Sequence, residues 1–197
     1  MGLRESKKQR TREALSWAAI RLAVERGFDN VLVEDIAAAA GVSPRTFNNY
    51  FSSKAEAIAT RHLDRGRRIA AELRARPADE PLWPAVAESV AAAFLAMAGE
   101  DDTSDHWQAG VRAMLEHPAL QGEVLRVNAR ADAELAEVIA ERTGTDPAGM
   151  YPRLVAGAVG ATILVATDHW RRATPSVPFE TVLREALRHL ANGLSTP

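Results

Sequence analysis

Residues 27–54 read GFDNVLVEDIAAAAGVSPRTFNNYFSSK, and the punctuation in this stretch decides the fold. Gly27 and Gly41 stand where helices stop, because glycine takes the left-handed conformation that closes a helix C-terminus. Between them Val33–Ala40 spells a helix of about eight residues. Ser43 followed by Pro44 sets a helix start: the serine hydroxyl accepts a free backbone N–H, and proline takes the first helical position without losing a bond. Ser53-Lys54-Ala55-Glu56 has the pattern of a capping box and opens the next helix. The order is helix, tight turn, helix, with Ile36, Ala37 and Val42 able to pack the two short helices together. Phe47 and Phe51, four apart, share a face that turns back into a small core.

That geometry suits DNA, since the first residues of such a second helix reach base edges in a major groove. Those residues are Pro44, Arg45 and Thr46, with Asn48 and Asn49 following. Arg45 matches guanine O6 and N7, Asn48 or Asn49 matches adenine N6 and N7, and Pro44 or the Thr46 methyl matches a thymine methyl. Tyr50 is placed for a phosphate. Lys54, at the next helix N-terminus, has free N–H groups and a helix dipole beside it that favour an anion. The basic run Arg4, Lys7, Lys8, Arg10 and Arg12 reads equally as a phosphate or minor-groove arm and as a solvated chain end.

Charge is divided to match. Residues 1–68 hold thirteen Lys/Arg against eight Asp/Glu, and the rest of the chain eleven against eighteen. A basic module on an acidic body is what a nucleic-acid reader shows. The 197 residues are 47% hydrophobic but include only five Phe and two Tyr, which suits closely packed helices rather than a sheet. The absence of cysteine excludes disulfides and thiolate metal sites. No His pair has metal-binding helical spacing, no nucleophile–base group or phosphate loop appears, and no cofactor or enzymatic activity is expected. With no signal peptide and no apolar run near about 18 residues, the expectation is a cytoplasmic protein without a membrane partner.

Periodicity and proline punctuation predict an all-α chain of about nine helices and no strand. The first runs over Glu5–Arg26 and the fourth from Ser53 to Arg76. Five more cover Pro81–Ala98, Asp105–His117, Pro118–Thr143, Pro147–Arg172 and Pro178–Leu194. Two domains are expected: 1–52 as a DNA-binding helix-turn-helix, and 53–197 as a helical effector-binding and dimerisation domain.

Residues 27–54 resemble the signature of the TetR (tetracycline-repressor) family of bacterial transcriptional regulators. The matching positions are Gly27-Phe28, Asp35-Ile36-Ala37, Ala40-Gly41-Val42-Ser43, Thr46-Phe47, Tyr50-Phe51 and Lys54. The resemblance implies base-proximal roles for Pro44, Arg45 and Thr46 and phosphate contacts for Tyr50 and Lys54. Two departures stand out: Asn48 replaces the family's usual tyrosine, and Leu32 its usual N-cap threonine. The resemblance also implies a homodimer on a palindromic double-stranded operator, released by a small apolar or amphipathic effector. A non-sensing scaffold that recruits a protein is the alternative.

In that family the last two helices pair with their copies. Gly157, Gly160 and Ala161 permit close approach, and Leu183, Leu187 and Leu190 lie on the stripe of the last helix. An effector pocket is sought at Trp107, Val111, Met114, Leu115, Thr162, Leu164, Asp168 and His169, with His106 and Trp170 as further candidates. Apolar residues at such spacing are as a rule core.

Overall fold

The computed structural model describes residues 3–97, 114–172 and 177–194, and the regular elements among them are all helical. In order they are α1 (Leu3–Arg26), a 3-10 turn (Phe28–Asn30), α2 (Val33–Ala39), α3 (Pro44–Asn48) and α4 (Lys54–Ala75). Then follow α5 (Leu82–Met97), α6 (Pro118–Thr143), α7 (Met150–Arg172) and α8 (Phe179–Ala191). The helix expected over Asp105–His117 lies outside the described residues except for its last four.

Most boundaries fall within two residues of the sequence reading, and the exceptions have local causes. Asp146 takes the Ala148 N–H on its carboxylate (2.9 Å) and the Gly149 N–H on its carbonyl (2.8 Å). This turn delays α7 from Pro147 to Met150. At the other end of the chain Gly193 (φ 76°) and Leu194 fold back onto α8, with Leu194 N–H on the His189 carbonyl at 3.1 Å. That closure ends α8 at Ala191 rather than Leu194.

The chain divides into two compact units: Met1–His62 with Asp102–Val127, and Leu63–Asp101 with Asn128–Pro197. The units therefore part within α4 at His62, ten residues beyond the boundary read from sequence at 52. In the first unit Leu15 and Ala19 of α1, Ile36 and Ala37 of α2, Phe47 of α3, and Ala57 and Ile58 of α4 are buried. In the second, one core joins Ile69 and Leu73 (α4), Val86 and Val90 (α5), Leu135 and Ile139 (α6), Val155 and Val159 (α7), and Leu183 and Leu187 (α8).

Two close approaches tighten this second core. A Cβ on Gly66 of α4 would stand 2.4 Å from the Ala131 Cβ of α6. The crossing is flanked by forked ion pairs, Arg67 to Glu134 (Nε to Oε2 3.0 Å) and Arg74 to Glu141 (2.8 Å). A Cβ on Gly160 of α7 would stand 2.7 Å from Asp132 Oδ1 of α6, so this carboxylate is packed against bare helix backbone. Burial pushes the Asp132 carboxyl above the usual carboxylate range.

Helix α7 corrects the reading that the chain lacks a long apolar run. Over Met150–Trp170 it is long and apolar enough to cross a membrane by length and composition, with a mean hydropathy of 1.3. Its apolar residues serve two faces. Val155, Ala156, Val159 and Ala166 enter the core of the second unit, whereas Met150, Leu154 and Val165 are exposed.

Two outcomes follow from the α6 contacts. Gly66→Val should lower stability by about 1–3 kcal/mol in urea denaturation through overpacking, and Ala131→Gly in the same chain should recover much of the loss. Asp132 favours its protonated form in the folded chain, so its contribution is fully present below the unfolded carboxylate pKa and is lost as pH rises through the raised folded value. Asp132→Asn, equal in shape but uncharged, should therefore raise the melting temperature at neutral pH, with the gain disappearing below about pH 4.

Candidate nucleic-acid interface

The turn that sets the interface is closed by backbone alone. Gly41 sits at φ 68°, its N–H on the Ala38 carbonyl (3.0 Å), and Val42 N–H reaches the Ala37 carbonyl (2.9 Å). These two bonds satisfy the last carbonyls of α2 and redirect the chain. Ser43 then caps α3 as the sequence implies: its Oγ accepts the Thr46 N–H at 3.1 Å, and Pro44 fills the first helical position. Phe47 and Phe51 are buried with ring centroids 5.6 Å apart, which anchors α3 from beneath.

What remains of α3 faces outward. Pro44, Arg45, Asn48 and Asn49 are exposed, and positions 45, 48 and 49 share one helical face. Thr46 is half-buried with its hydroxyl 2.9 Å from the Ser43 hydroxyl, and the half-buried Tyr50 ring lies 6.4 Å from that of Phe51. The regular helix stops at Asn48, two residues short of the segment read from sequence. Upstream, α1 begins at Leu3, which puts the basic N-terminal run on a helix. Lys7, Lys8 and Arg10 are exposed there. Arg12 instead donates to Thr60 Oγ1 (3.3 Å) and lies over the Phe51 ring.

Lys54 has partners within the chain that its sequence context does not announce. Its Nζ donates to the carbonyls of Phe28 (2.6 Å), Val31 (2.9 Å) and Asp29 (3.5 Å), and it lies 4.4 Å from the Phe28 ring centroid. The ammonium thus satisfies carbonyls of the turn between α1 and α2. No local pattern could announce this, because the partners lie more than twenty residues upstream. The capping box at α4 is also altered. Ser53 Oγ accepts the Glu56 N–H (3.0 Å), but the Glu56 carboxylate takes the N–H (2.7 Å) and O–H (2.6 Å) of Ser52. Burial pushes the Glu56 carboxyl up, yet the Ser52 bonds, with Arg126 and Arg12 nearby, hold it below its ordinary range. At α2 the N-cap Leu32 is exposed and offers no side-chain acceptor, and Asp35 compensates by accepting the Leu32 N–H at 3.0 Å.

This arrangement has known counterparts. Residues 17–58 match the family described as bacterial regulatory proteins, tetR family, and residues 80–195 match the MftR C-terminal domain. The chain belongs to the TetR family. It is 33% identical over 198 residues to the HTH-type transcriptional regulator TcmR of Streptomyces glaucescens, covering 92% of this chain and 85% of that protein. It is 30% identical over 164 residues to MftR of Mycobacterium tuberculosis, named as a mycofactocin biosynthesis transcriptional regulator, covering 80% and 78%. Among solved structures, the fold is shared with the fatty acid degradation regulator FadR of Bacillus halodurans (TM-score 0.61, 19% identity, 95% and 97% covered). It is also shared with NalD of Pseudomonas aeruginosa (TM-score 0.57, 21% identity, 94% and 96% covered). TetR-family proteins are DNA-binding transcriptional regulators, not enzymes.

The other positions read from sequence divide sharply. Gly157 and Ala161 of α7 lie outward, and a Cβ at Gly157 would meet nothing within 4 Å. Gly160 instead faces Asp132. Leu183 and Leu187 are wholly buried in the second unit and Leu190 packs against the same core. Leu183 and Leu187, expected at a dimer face, therefore keep no free surface for one, because α5 and α7 pack on this side of α8, whereas Leu190 is only half-buried. Of the effector candidates, Trp107, Val111 and His106 lie outside the described residues. Met114 is buried and Leu115 half-buried in the first unit. In the second, Thr162 donates to the Ala158 carbonyl (2.8 Å), and exposed Asp168 pairs with Arg172 (3.0 Å). Leu164 and His169 are exposed, and Trp170 donates to the Val177 carbonyl (2.8 Å).

The two cationic side chains of this region should respond differently to removal. Arg45→Ala should leave the fold intact and lose about 1–3 kcal/mol of binding at one base pair, relaxing specificity there, as measured by titration against single-base operator variants. Lys54→Ala should lower stability by about 1–3 kcal/mol, the worth of charged hydrogen bonds, and leave the salt slope of DNA binding unchanged.

Proposed function

We propose that this chain is a homodimeric repressor of the cytoplasm that holds a palindromic double-stranded operator and is released by a small apolar or amphipathic ligand. The observation that carries the DNA reading is the exposure of Arg45, Asn48 and Asn49 on the first turns of a capped, anchored helix. Their chemistry matches guanine and adenine edges in a major groove. Pro44 and Thr46 supply apolar contact beside them, and Tyr50 a phosphate contact.

The outward stripe of α7 supports the dimer. Met150, Leu154, Ala161 and Val165 recur at helical spacing and are exposed, Met150 at 78% and Val165 at 67%. Gly157 leaves room among them for a second helix. A contiguous apolar face of this kind marks a partner surface, and a two-fold copy would set two recognition helices on half-sites about 34–36 Å apart. The effector acts only through its different affinities for the operator-competent and incompetent states.

Selection of bound fragments from the source genome should return a palindrome. Leu154→Glu should convert the dimer to a monomer in sedimentation and weaken operator binding by about 10²–10⁴-fold through lost bivalency. A dimer that survives this charge moves the partner surface elsewhere. Titration of apolar and amphipathic metabolites against the operator complex tests induction, and release by none of them removes it.

A further inference from the structure

Helix α6 buries one side of itself through Ala131, Leu135, Ala136, Val138 and Ile139. A charge interrupts that side. Asp132 lies four residues ahead of Ala136 and seven ahead of Ile139, so it shares their face, where helical periodicity calls for an apolar side chain. The room for it comes from α7. Gly160 follows the buried Val159, and a Cβ on Gly160 would stand 2.7 Å from Asp132 Oδ1 and 3.4 Å from Oδ2.

Among the described residues the Asp132 carboxylate has no hydrogen bond and no ion pair. Arg67 and Arg130, the cations of the neighbouring turns, both engage Glu134 instead (3.0 and 3.4 Å). An acid taken into a core for structural reasons as a rule brings its own partner. Asp132 is half-buried, removed from part of its water yet within reach of a molecule from outside. Apolar surface at the edge of the same core is also half-open. Gly66, packed on Ala131, follows Arg65, whose guanidinium lies 4.5 Å from the Phe94 ring centroid. The Phe94 ring is 5.0 Å from that of Phe179, which is 5.5 Å from that of Trp170 on α7. All three rings are half-buried. Aromatic walls with one polar group that lacks a partner have the make-up of a ligand site, and the sign of that group selects the ligand.

We infer that Asp132 binds the effector, and that the effector is an amphipathic cation: an amine or ammonium group on an apolar or aromatic body. The ammonium donates to the Asp132 carboxylate while the body rests on the half-buried rings. A neutral ligand would strip water from the carboxylate and return no partner, and an acid would meet like charge. The inference rests on the effector reading given above and narrows its chemical class.

The test uses the full-length chain and three probes that share one body: phenylbutylamine, phenylbutanol and phenylbutanoate, which are cationic, neutral and anionic at neutral pH. In calorimetric titration the amine should bind about 10–100-fold tighter than the alcohol, with the acid weakest. Asp132→Asn keeps the shape of the side chain and should keep the helix content. It should bind the alcohol as wild type does while the preference for the amine disappears. A preference that persists in Asp132→Asn comes from the general acidity of the body and overturns the assignment. So does a wild-type chain that binds the three alike or favours the acid. The operator complex separates the two readings. Release by the amine in wild type, lost in Asp132→Asn, is the expected result. Release by the alcohol or acid with no preference for the amine leaves the effector reading standing and overturns this one. Amine that binds through Asp132 and leaves the operator complex intact overturns the effector reading, and the inference with it.

Discussion

A helix of five residues has no stability of its own in water, since isolated helices need roughly 12–15 residues to persist. Helix α3 is that short, yet the residues proposed to read DNA are mounted on it. It exists because Phe47 and Phe51 are buried beneath it, Ser43 and Pro44 hold its first turn, and Gly41 brings the chain to it at the required angle. Removal of any one loosens the others, because the cap and the turn have no reason to form without the buried rings. The same economy frees Arg45, Asn48 and Asn49. With its inner face committed to Phe47, the rest of the helix stands in solvent.

Support for that small module comes from charges placed at carbonyls and rings. Lys54 gathers the carbonyls of the turn after α1, Arg12 bridges Thr60 and the Phe51 ring, and the Arg61 guanidinium lies 3.7 Å from the Trp17 ring centroid. Each cation here does what a larger apolar core would do in a bigger domain. Part of the basic surplus of the first 68 residues is therefore architectural.

In the second unit the informative contrast lies within one helix. Gly157 and Gly160 of α7 are three residues apart and read identically in sequence as small residues for close packing. One looks onto open space and the other onto Asp132. Helix α8 carries the clearest apolar stripe in the chain, and its own unit takes that stripe. Among the described residues of this unit, most of the large apolar side chains left outward belong to α7, whose residues are apolar on two faces.

Several features were legible without coordinates. The all-helical class, the turn at Gly41, the start at Ser43-Pro44, the full extent of α6 and the burial of Phe47 and Phe51 all follow from local rules, because caps, left-handed glycines and helical periodicity act within a few residues. What only the tertiary structure decided are matters of long-range partnership: the engagement of Lys54 with carbonyls, the use of His117 by Asp29 and Phe28, the inward turn of Leu183 and Leu187, and which of two glycines meets a carboxylate. A periodic stripe states that a helix will bury a face. It carries no information on what covers that face, since the hydrophobic effect has no direction and many surfaces satisfy it equally.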